Sequence, residues 1–348
     1  MTARRASRVL VAGAGAVGSV TALALARAGV EVTLADPAPL GDNASGIAAG
    51  MLAPAFEAIF DDVSATHLAL MRRARDLWPE LAGSIGLELD RTGAMAVGGA
   101  DDLAAWAERG LGLGVDLTAL SPDVVGRRAP WLAKGHGGLW TQEDWRLDVN
   151  LTLLALRVAG DSAGVRAITS AVTGFSGGRA RFADGRELAI DAVVVATGAS
   201  GSSGLAPELA TLTPIKGHIL CAKDHPLSGP VVRLKGGYIC PSPGGALVGS
   251  SMEVGRADRE IDAGVIDRLV GLAMPYAPWL DGAKLLARAG VRAATGGGLP
   301  LVGQSNAPGV WLAVGARRNG WLLAPLIGQT LAAGLTGRLE EGDGFVFR

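Results

Sequence analysis

The stretch from Val9 to Asp36, VLVAGAGAVGSVTALALARAGVEVTLAD, limits what this chain can become more than any other. A short apolar run, Val9-Leu10-Val11, leads into Gly13-Ala14-Gly15-Ala16-Val17-Gly18. An Ala/Leu-rich segment of helical character follows, and a second apolar run ends on Asp36. Strand, glycine turn, helix, strand and acid, in that order, make the dinucleotide-binding fingerprint with its context intact. Gly13 permits the tight turn, Gly15 lets the backbone approach a pyrophosphate, and Gly18 allows the helix to pack closely on the strand. The helix start offers unpaired N–H groups and a positive dipole end to the phosphates. Asp36 can accept hydrogen bonds from an adenosine ribose. An acid there disfavours a 2′-phosphate, which puts NADP behind NAD and FAD.

Composition bounds the rest. A chain of 348 residues is long enough for two domains, or for one domain with a large insertion. A hydrophobic fraction of 49% against 19% charged describes a globular enzyme with a substantial core, and a net charge of −1 gives no reason to expect a nucleic-acid partner. Two cysteines, Cys221 and Cys240, make no disulfide framework and fit a reducing compartment. No metal-ligand spacing occurs among the two cysteines and four histidines. Arg4-Arg5 before the uncharged run Val9 to Ala26 imitates an export signal or a membrane span. The fixed glycine spacing and the polar Ser19 and Thr21 are better explained by the nucleotide site, so a cytoplasmic protein with no membrane association is expected.

Beyond Asp36, Pro37 to Ser45 reads as a loop. Gly46-Ile47-Ala48-Ala49-Gly50-Met51-Leu52-Ala53-Pro54 then presents small residues that suit a backbone lying against a flat ligand. Ala65 to Gly86 reads as one amphipathic helix, with His67 a surface or satisfied histidine. Leu87 to Trp140, with its strand-like Ala94 to Val97, reads as a separate layer inserted into the nucleotide domain, and Arg127 to Trp131 as a turn. Gly174-Phe175-Ser176-Gly177-Gly178 spells G-x-S-x-G, but a strand toward Asp184-Gly185 follows it instead of a helix, so it is a meander of short strands and no nucleophile elbow. The meander ends in the apolar run Val193-Val194-Val195-Ala196-Thr197-Gly198. Gly237 to Pro241 and Ala246 to Met252 read as a hairpin about Pro243-Gly244-Gly245. Arg292, inside the apolar and small run Ala289 to Thr295, must be paired with something. Val310 to Gly320 and the helix from Trp321 to Leu335 make a second strand–turn–helix unit, whose helix start can face an anion or an electron-rich ring edge.

A strand ending in Ala-Thr-Gly resembles the segment that two-domain FAD enzymes pass beside their cofactor, and simple NAD dehydrogenases lack it. With SGIAAGMLAP (Ser45–Pro54), Val291 to Gly303 and RNGWLLAP (Arg318–Pro325), nearly the whole chain resembles the D-amino-acid-oxidase-like flavoenzymes. Among these it is most similar to the bacterial glycine oxidases of thiamine biosynthesis. The resemblance implies an α/β (α+β) two-domain flavoenzyme. A discontinuous Rossmann-like FAD domain would comprise residues 1–86, 145–213 and 286–348, and an inserted mixed-sheet substrate domain residues 87–144 and 214–285.

It also implies site residues. Gly13, Gly15, Ala16, Val17 and Gly18 would meet the pyrophosphate and Asp36 the ribose. Ala44, Ser45, Ala49, Gly50 and Met51 would line the ribityl chain and ring, Val172 would touch adenine through its backbone, and Thr197 and Gly198 would pass beside the cofactor. Arg317, Arg318, Asn319, Gly320, Trp321 and Leu322 would form the loop and helix start at the pyrimidine edge. Arg292 would grip a substrate carboxylate, with Tyr238 and Arg318 beside it as further candidates for the reaction site. The segment that carries a flavin-linking cysteine in sarcosine oxidases has none between Val291 and Gly303, so the implied FAD is noncovalent. Ala316 and Arg317 replace a His and an aromatic common before the RNG string, and Ser242 stands where an arginine is common after Pro241. These departures lie near the substrate and leave its identity open.

The expected reaction is oxidation of a small amino acid or amine by hydride transfer to flavin N5, imine hydrolysis and reoxidation by oxygen to peroxide, in a chain compatible with a homo-oligomer. A flavin dehydrogenase using a quinone or protein acceptor shares every motif. A non-catalytic flavin-binding protein shares the binding motifs, and a nicotinamide dehydrogenase explains only the first stretch.

Overall fold

A computed structural model describes residues 6–61, 63–200 and 204–338. The Arg4-Arg5 pair of the leader-like segment lies outside the described residues. Arg8–Ala12 is a central strand of a six-stranded sheet, flanked in parallel by Glu31–Ala35 and Ala192–Val195. Arg166–Ile168 extends the sheet on one side; Val310–Val314 and the antiparallel Leu301–Gln304 extend it on the other. A parallel strand covered on both faces has to be apolar throughout. Val9-Leu10-Val11 and Val193-Val194-Val195 meet that demand, none of the six being more than 1% exposed. The helix Ala16–Arg27 packs against the closing helix Gly320–Leu335, so these two helices cover the same sheet.

The second sheet has nine strands and holds Ala94–Val97, Thr118–Leu120, Gly138–Thr141, Thr213–Ala222, Val231–Leu234 and the hairpin strands Gly237–Ser242 and Gly245–Gly249. Ala94–Val97 pairs with Val231–Leu234, so the segment read as an inserted layer joins a strand far along the chain. Leu285–Ala294 pairs along its whole length with Thr213–Ala222. The boundary placed at residue 286 therefore falls inside a strand of this sheet, and the chain crosses back after Ala294. Apolar alternation looks the same in either sheet, and only the pairing partner assigns it.

Two further readings change. The helix expected from Ala65 to Gly86 is two helices, Ala65–Asp76 and Trp78–Ser84, because Pro79 supplies no N–H and fits only a first turn. Arg127 and Arg128 close a helix, Pro122–Arg128, and Arg128 lies over the Trp140 ring, 3.9 Å from its centroid. The meander is as expected, a three-stranded antiparallel sheet of Val172–Ser176, Arg179–Phe182 and Glu187–Ala189. Among the described residues no helix is long and apolar enough to cross a membrane.

Candidate active site

The glycine turn is shaped by contacts of its own backbone. A Cβ on Gly18 would stand 1.8 Å from Gly13 O, so the helix could not sit down on the turn with any other residue there. Ala14 N–H donates to Asp36 Oδ2 at 2.7 Å, which ties the turn to the acid at the end of the second strand. Ala16 N–H donates to Ser45 Oγ at 3.0 Å, and Trp321 Nε1 donates to Ser45 O at 3.1 Å. Three segments, 29 and 276 residues apart along the chain, are thus stitched together at the start of the first helix. The N-cap of that helix, Gly15, has no side chain to cap it, and its first turn holds no acid. Nearby, Thr197 Oγ1 is buried without a partner among the described residues. Val172 shares an apolar cluster with Ala12 and Ala35. A helix start with a glycine N-cap and no acid, an orphaned hydroxyl and a ribose-competent acid at one end of the sheet fit the phosphate and ribose half of a dinucleotide.

Next to Ser45 opens a cavity of about 530 Å³. One wall is the small-residue run Ala48-Ala49-Gly50-Met51, ending in the short strand Met51–Leu52. Tyr238 faces it from the hairpin, Arg292 from Leu285–Ala294, and Arg318, Asn319 and Trp321 from the closing loop and helix start. The cavity thus gathers Ala44, Ala49, Gly50, Met51, Tyr238, Arg292, Arg318, Asn319 and Trp321 of the expected site, whereas the glycine turn, Asp36, Val172 and Thr197 lie outside it. A cleft with one wall of nearly bare backbone and charged and polar side chains on the others suits a flat ring and a small polar reactant.

The charges divide into two kinds. Glu57, buried on the helix Pro54–Phe60, bonds Arg318 Nη2 at 2.7 Å and Arg233 Nη2 at 3.2 Å. Asp61 bonds Arg317 Nη1 at 2.6 Å and also Arg318 Nη2. Burial alone would raise the Glu57 carboxyl, but the Arg318 and Arg233 charges outweigh it and hold the group below its ordinary range. Behind them Asp144 accepts N–H groups of Ala55 (2.8 Å) and Phe56 (3.1 Å), yet burial pushes its carboxyl up to about 7.

Arg292 has no carboxylate among the described residues. Its guanidinium donates to Ser251 O at 3.2 Å, Met252 Sδ at 3.3 Å and Ser250 Oγ at 3.0 Å, all neutral. Burial lowers its affinity for a proton, as do the Arg318 and Arg317 charges. The pairing that its sequence context demanded is therefore only half supplied by the chain. Tyr238 is buried beside it, and burial pushes the phenol well above its usual range.

Arg318, expected beside Arg292 at the reaction site, is committed to Glu57 and Asp61. Arg317 is the one described non-glycine residue with a left-handed φ, 51°, and its N–H donates to Ala293 O at 2.8 Å. Sequence reasoning missed Glu57, Asp61, Arg233 and Asp144. The signal for Glu57 was present: a lone acid inside Ala-Phe-Glu-Ala-Ile-Phe is as anomalous as Arg292 in its run. His67, expected to be at the surface or satisfied, is partly buried, and its Nε2 has no partner among the described residues.

A discontinuous parallel sheet with a glycine turn, joined to a second sheet across a small-residue cleft, defines a two-domain, dinucleotide-dependent oxidoreductase. The profile of the FAD dependent oxidoreductase family matches residues 8–334, and the chain belongs to that family. The chain is similar to a glycine oxidase from Geobacillus kaustophilus, with 29% identity covering 93% of this chain and 91% of the relative. A glycine oxidase from Pseudomonas putida is 30% identical, over 95% of this chain and 94% of its own. The crystal structure of glycine oxidase from Geobacillus kaustophilus superposes with a TM-score of 0.84 at 28% identity, covering 97% of this chain and 96% of that one. The cofactor is FAD, and the orphaned Thr197 hydroxyl, the glycine-capped helix start and the bare Ala48–Met51 wall fit it.

Proposed function

We propose that the chain is an FAD-dependent oxidase of a small amino acid or amine, of the glycine, sarcosine or D-amino acid type, and that it works in the cytoplasm. The observation that carries this reading is Arg292: a cation held by neutral acceptors alone, in the cleft walled by Ala48–Met51. Its fork is suited to a substrate carboxylate in bidentate geometry. Anchoring that carboxylate fixes the adjacent carbon against the ring wall, an orientation effect. Bound FAD supplies the two-electron acceptor for the substrate's C–H bond and the route of those electrons to oxygen.

The remaining groups prepare the site. Among the described residues lining the cleft, Glu57 and Asp61 are occupied by arginines, Glu253 accepts His218 Nδ1 and Ser251 Oγ, and Tyr238 keeps its proton, so each acid there is already engaged. The substrate amine accordingly reacts in its neutral form, having left its proton in water, and the imine product is hydrolysed outside the ring wall. Ala16, Val17 and the start of the first helix would hold the pyrophosphate, and Asp36 the ribose. Asn319 and Gly320 open the closing helix, whose positive end would favour negative charge on a bound flavin. The flavin is bound noncovalently.

The direct test is anaerobic bleaching of the bound flavin by a panel of glycine, sarcosine, small D-amino acids and simple amines, followed by a peroxide assay in air. Bleaching by a carboxylate-bearing amine with peroxide release is expected. Bleaching without peroxide would make the chain a dehydrogenase, and no bleaching by any member would sink the reading. Arg292→Ala should raise KM for carboxylate substrates by about a hundredfold, as loss of a charged bidentate contact worth roughly 3 kcal/mol implies. Its flavin content should not change.

A further inference from the structure

Beneath Arg292 lie two wholly buried polar side chains that the chemistry above does not use, Lys216 and His218 on the strand Thr213–Ala222. Lys216 is accounted for by Asp258, 2.5 Å from its ammonium. His218 is bonded at both ring nitrogens. Asp262 N–H donates to Nε2 at 3.1 Å, so Nε2 is the acceptor and the ring proton sits on Nδ1. Nδ1 in turn donates to Glu253 Oε1 at 2.9 Å. Ser251 closes the circuit. Its hydroxyl donates to the same Glu253 oxygen at 2.6 Å and accepts His218 N–H at 2.9 Å, and its own N–H donates to His218 O at 3.3 Å.

Ser251 is also where Arg292 is held: its carbonyl takes Arg292 Nη1, and Ser250 Oγ takes Nη2. Gly217 lies between Lys216 and His218, and a Cβ there would stand 2.4 Å from Arg292 Nη1 and 2.7 Å from Cζ. The guanidinium therefore occupies the space that any other side chain at residue 217 would fill.

A carboxylate partner would aim an arginine firmly but neutralise it. Neutral oxygens leave the charge free for a ligand but grip weakly, so they aim it only if they are themselves immobile. We propose that His218, acting through Glu253 and Ser251, is a positioning residue for substrate recognition: it fixes the Ser250–Met252 acceptors that aim the Arg292 fork over Gly217. This rests on Arg292 being the carboxylate anchor. His218 touches no substrate and moves no proton in the reaction.

Calorimetric titration of acetate into the flavin-loaded protein tests this, together with steady-state kinetics on whichever carboxylate amine bleaches the flavin. His218→Ala should weaken acetate about tenfold and raise KM about tenfold, with kcat within about twofold, an outcome of the size that coupled neighbours show. His218→Gln should restore most of the loss, because an amide also offers one donor and one acceptor. His218→Ala added to Arg292→Ala should weaken acetate no further. KM for methylamine, which has no carboxylate, should stay put. If Arg292→Ala abolishes acetate binding while His218→Ala leaves it intact, or if the two losses simply add, the positioning role is overturned. If Arg292→Ala itself leaves acetate binding unchanged, the anchor reading falls and the positioning role falls with it. Should His218→Ala fail to fold, Glu253→Ala removes the oxygen that accepts both His218 Nδ1 and Ser251 Oγ, and so breaks the same circuit from its surface side; the same outcomes decide.

Discussion

Around Gly13–Gly18 the chain makes its site from backbone; around Arg292 it makes its site from side chains. The first region lies within one strand–turn–helix unit, its shape set by a glycine with no room for a Cβ and by amides that meet Asp36 and Ser45. The second draws Glu57, Arg233, Ser251, Arg292 and Arg318 from five separate segments and balances their charges at close range. A backbone site tolerates many neighbours and few substitutions within the turn. A side-chain site is the reverse: it depends on every partner arriving, and it can be retuned one residue at a time. That division suits a protein that must keep its cofactor while its substrate varies.

The comparison can be broken in several ways, and the largest effect is expected at the side-chain end. Glu57→Ala strands Arg233 and Arg318 in a buried setting and should cost on the order of 3–5 kcal/mol in denaturant unfolding. The folded fraction should still carry flavin. A cost near that of a surface pair would show that the cluster is not a buried unit. Gly18→Ala forces a methyl to within 1.8 Å of Gly13 O. It should cost roughly 1–3 kcal/mol and, unlike Glu57→Ala, release flavin on gel filtration. Retention of flavin by Gly18→Ala would remove the distinction between the two regions.

A smaller, pH-dependent effect is expected at Asp144. Its carboxyl keeps its proton to about 7 in the folded chain, against 3.8 for the unfolded group, so the folded state binds more protons across that window. Stability from this residue is therefore lost as pH rises through the window, by up to about 1.4 kcal/mol per pH unit. Asp144→Asn should remove that component, seen as a difference in slope between variant and parent in unfolding measured from pH 4 to 7. Identical slopes would mean the two backbone N–H donors keep the group ionised. Least of all, Ser45→Ala leaves the Ala16 amide without its hydroxyl and should cost about 1 kcal/mol, with a modest rise in the flavin dissociation constant.

The glycine turn was legible because its residues are neighbours in sequence and each is constrained by covalent geometry, with Gly18 as the sharpest case. Arg292 was legible as an anomaly, a charge in an apolar run, but its partners were not. Ser250 and Ser251 are ordinary hairpin residues by composition, and nothing about them announces the 3.0–3.2 Å contacts they make with Arg292. Arg318 shows the same limit. Its place in RNGWLLAP put it among the site candidates, and it does line the cleft, but nothing in that string announces its pairing with Glu57 and Asp61. The break between Asp76 and Trp78 follows from Pro79 and was readable in principle.

By itself the sequence determined the nucleotide-binding layer, since apolar runs, a glycine turn and a following acid are local demands that backbone sterics and helix electrostatics impose. Only the tertiary structure decided which arginine stays available. Availability depends on whether a carboxylate comes within hydrogen-bonding reach, and for Glu57 and Arg318 that meeting spans most of the chain. It is settled by how two sheets pack, and no spacing along the sequence encodes it.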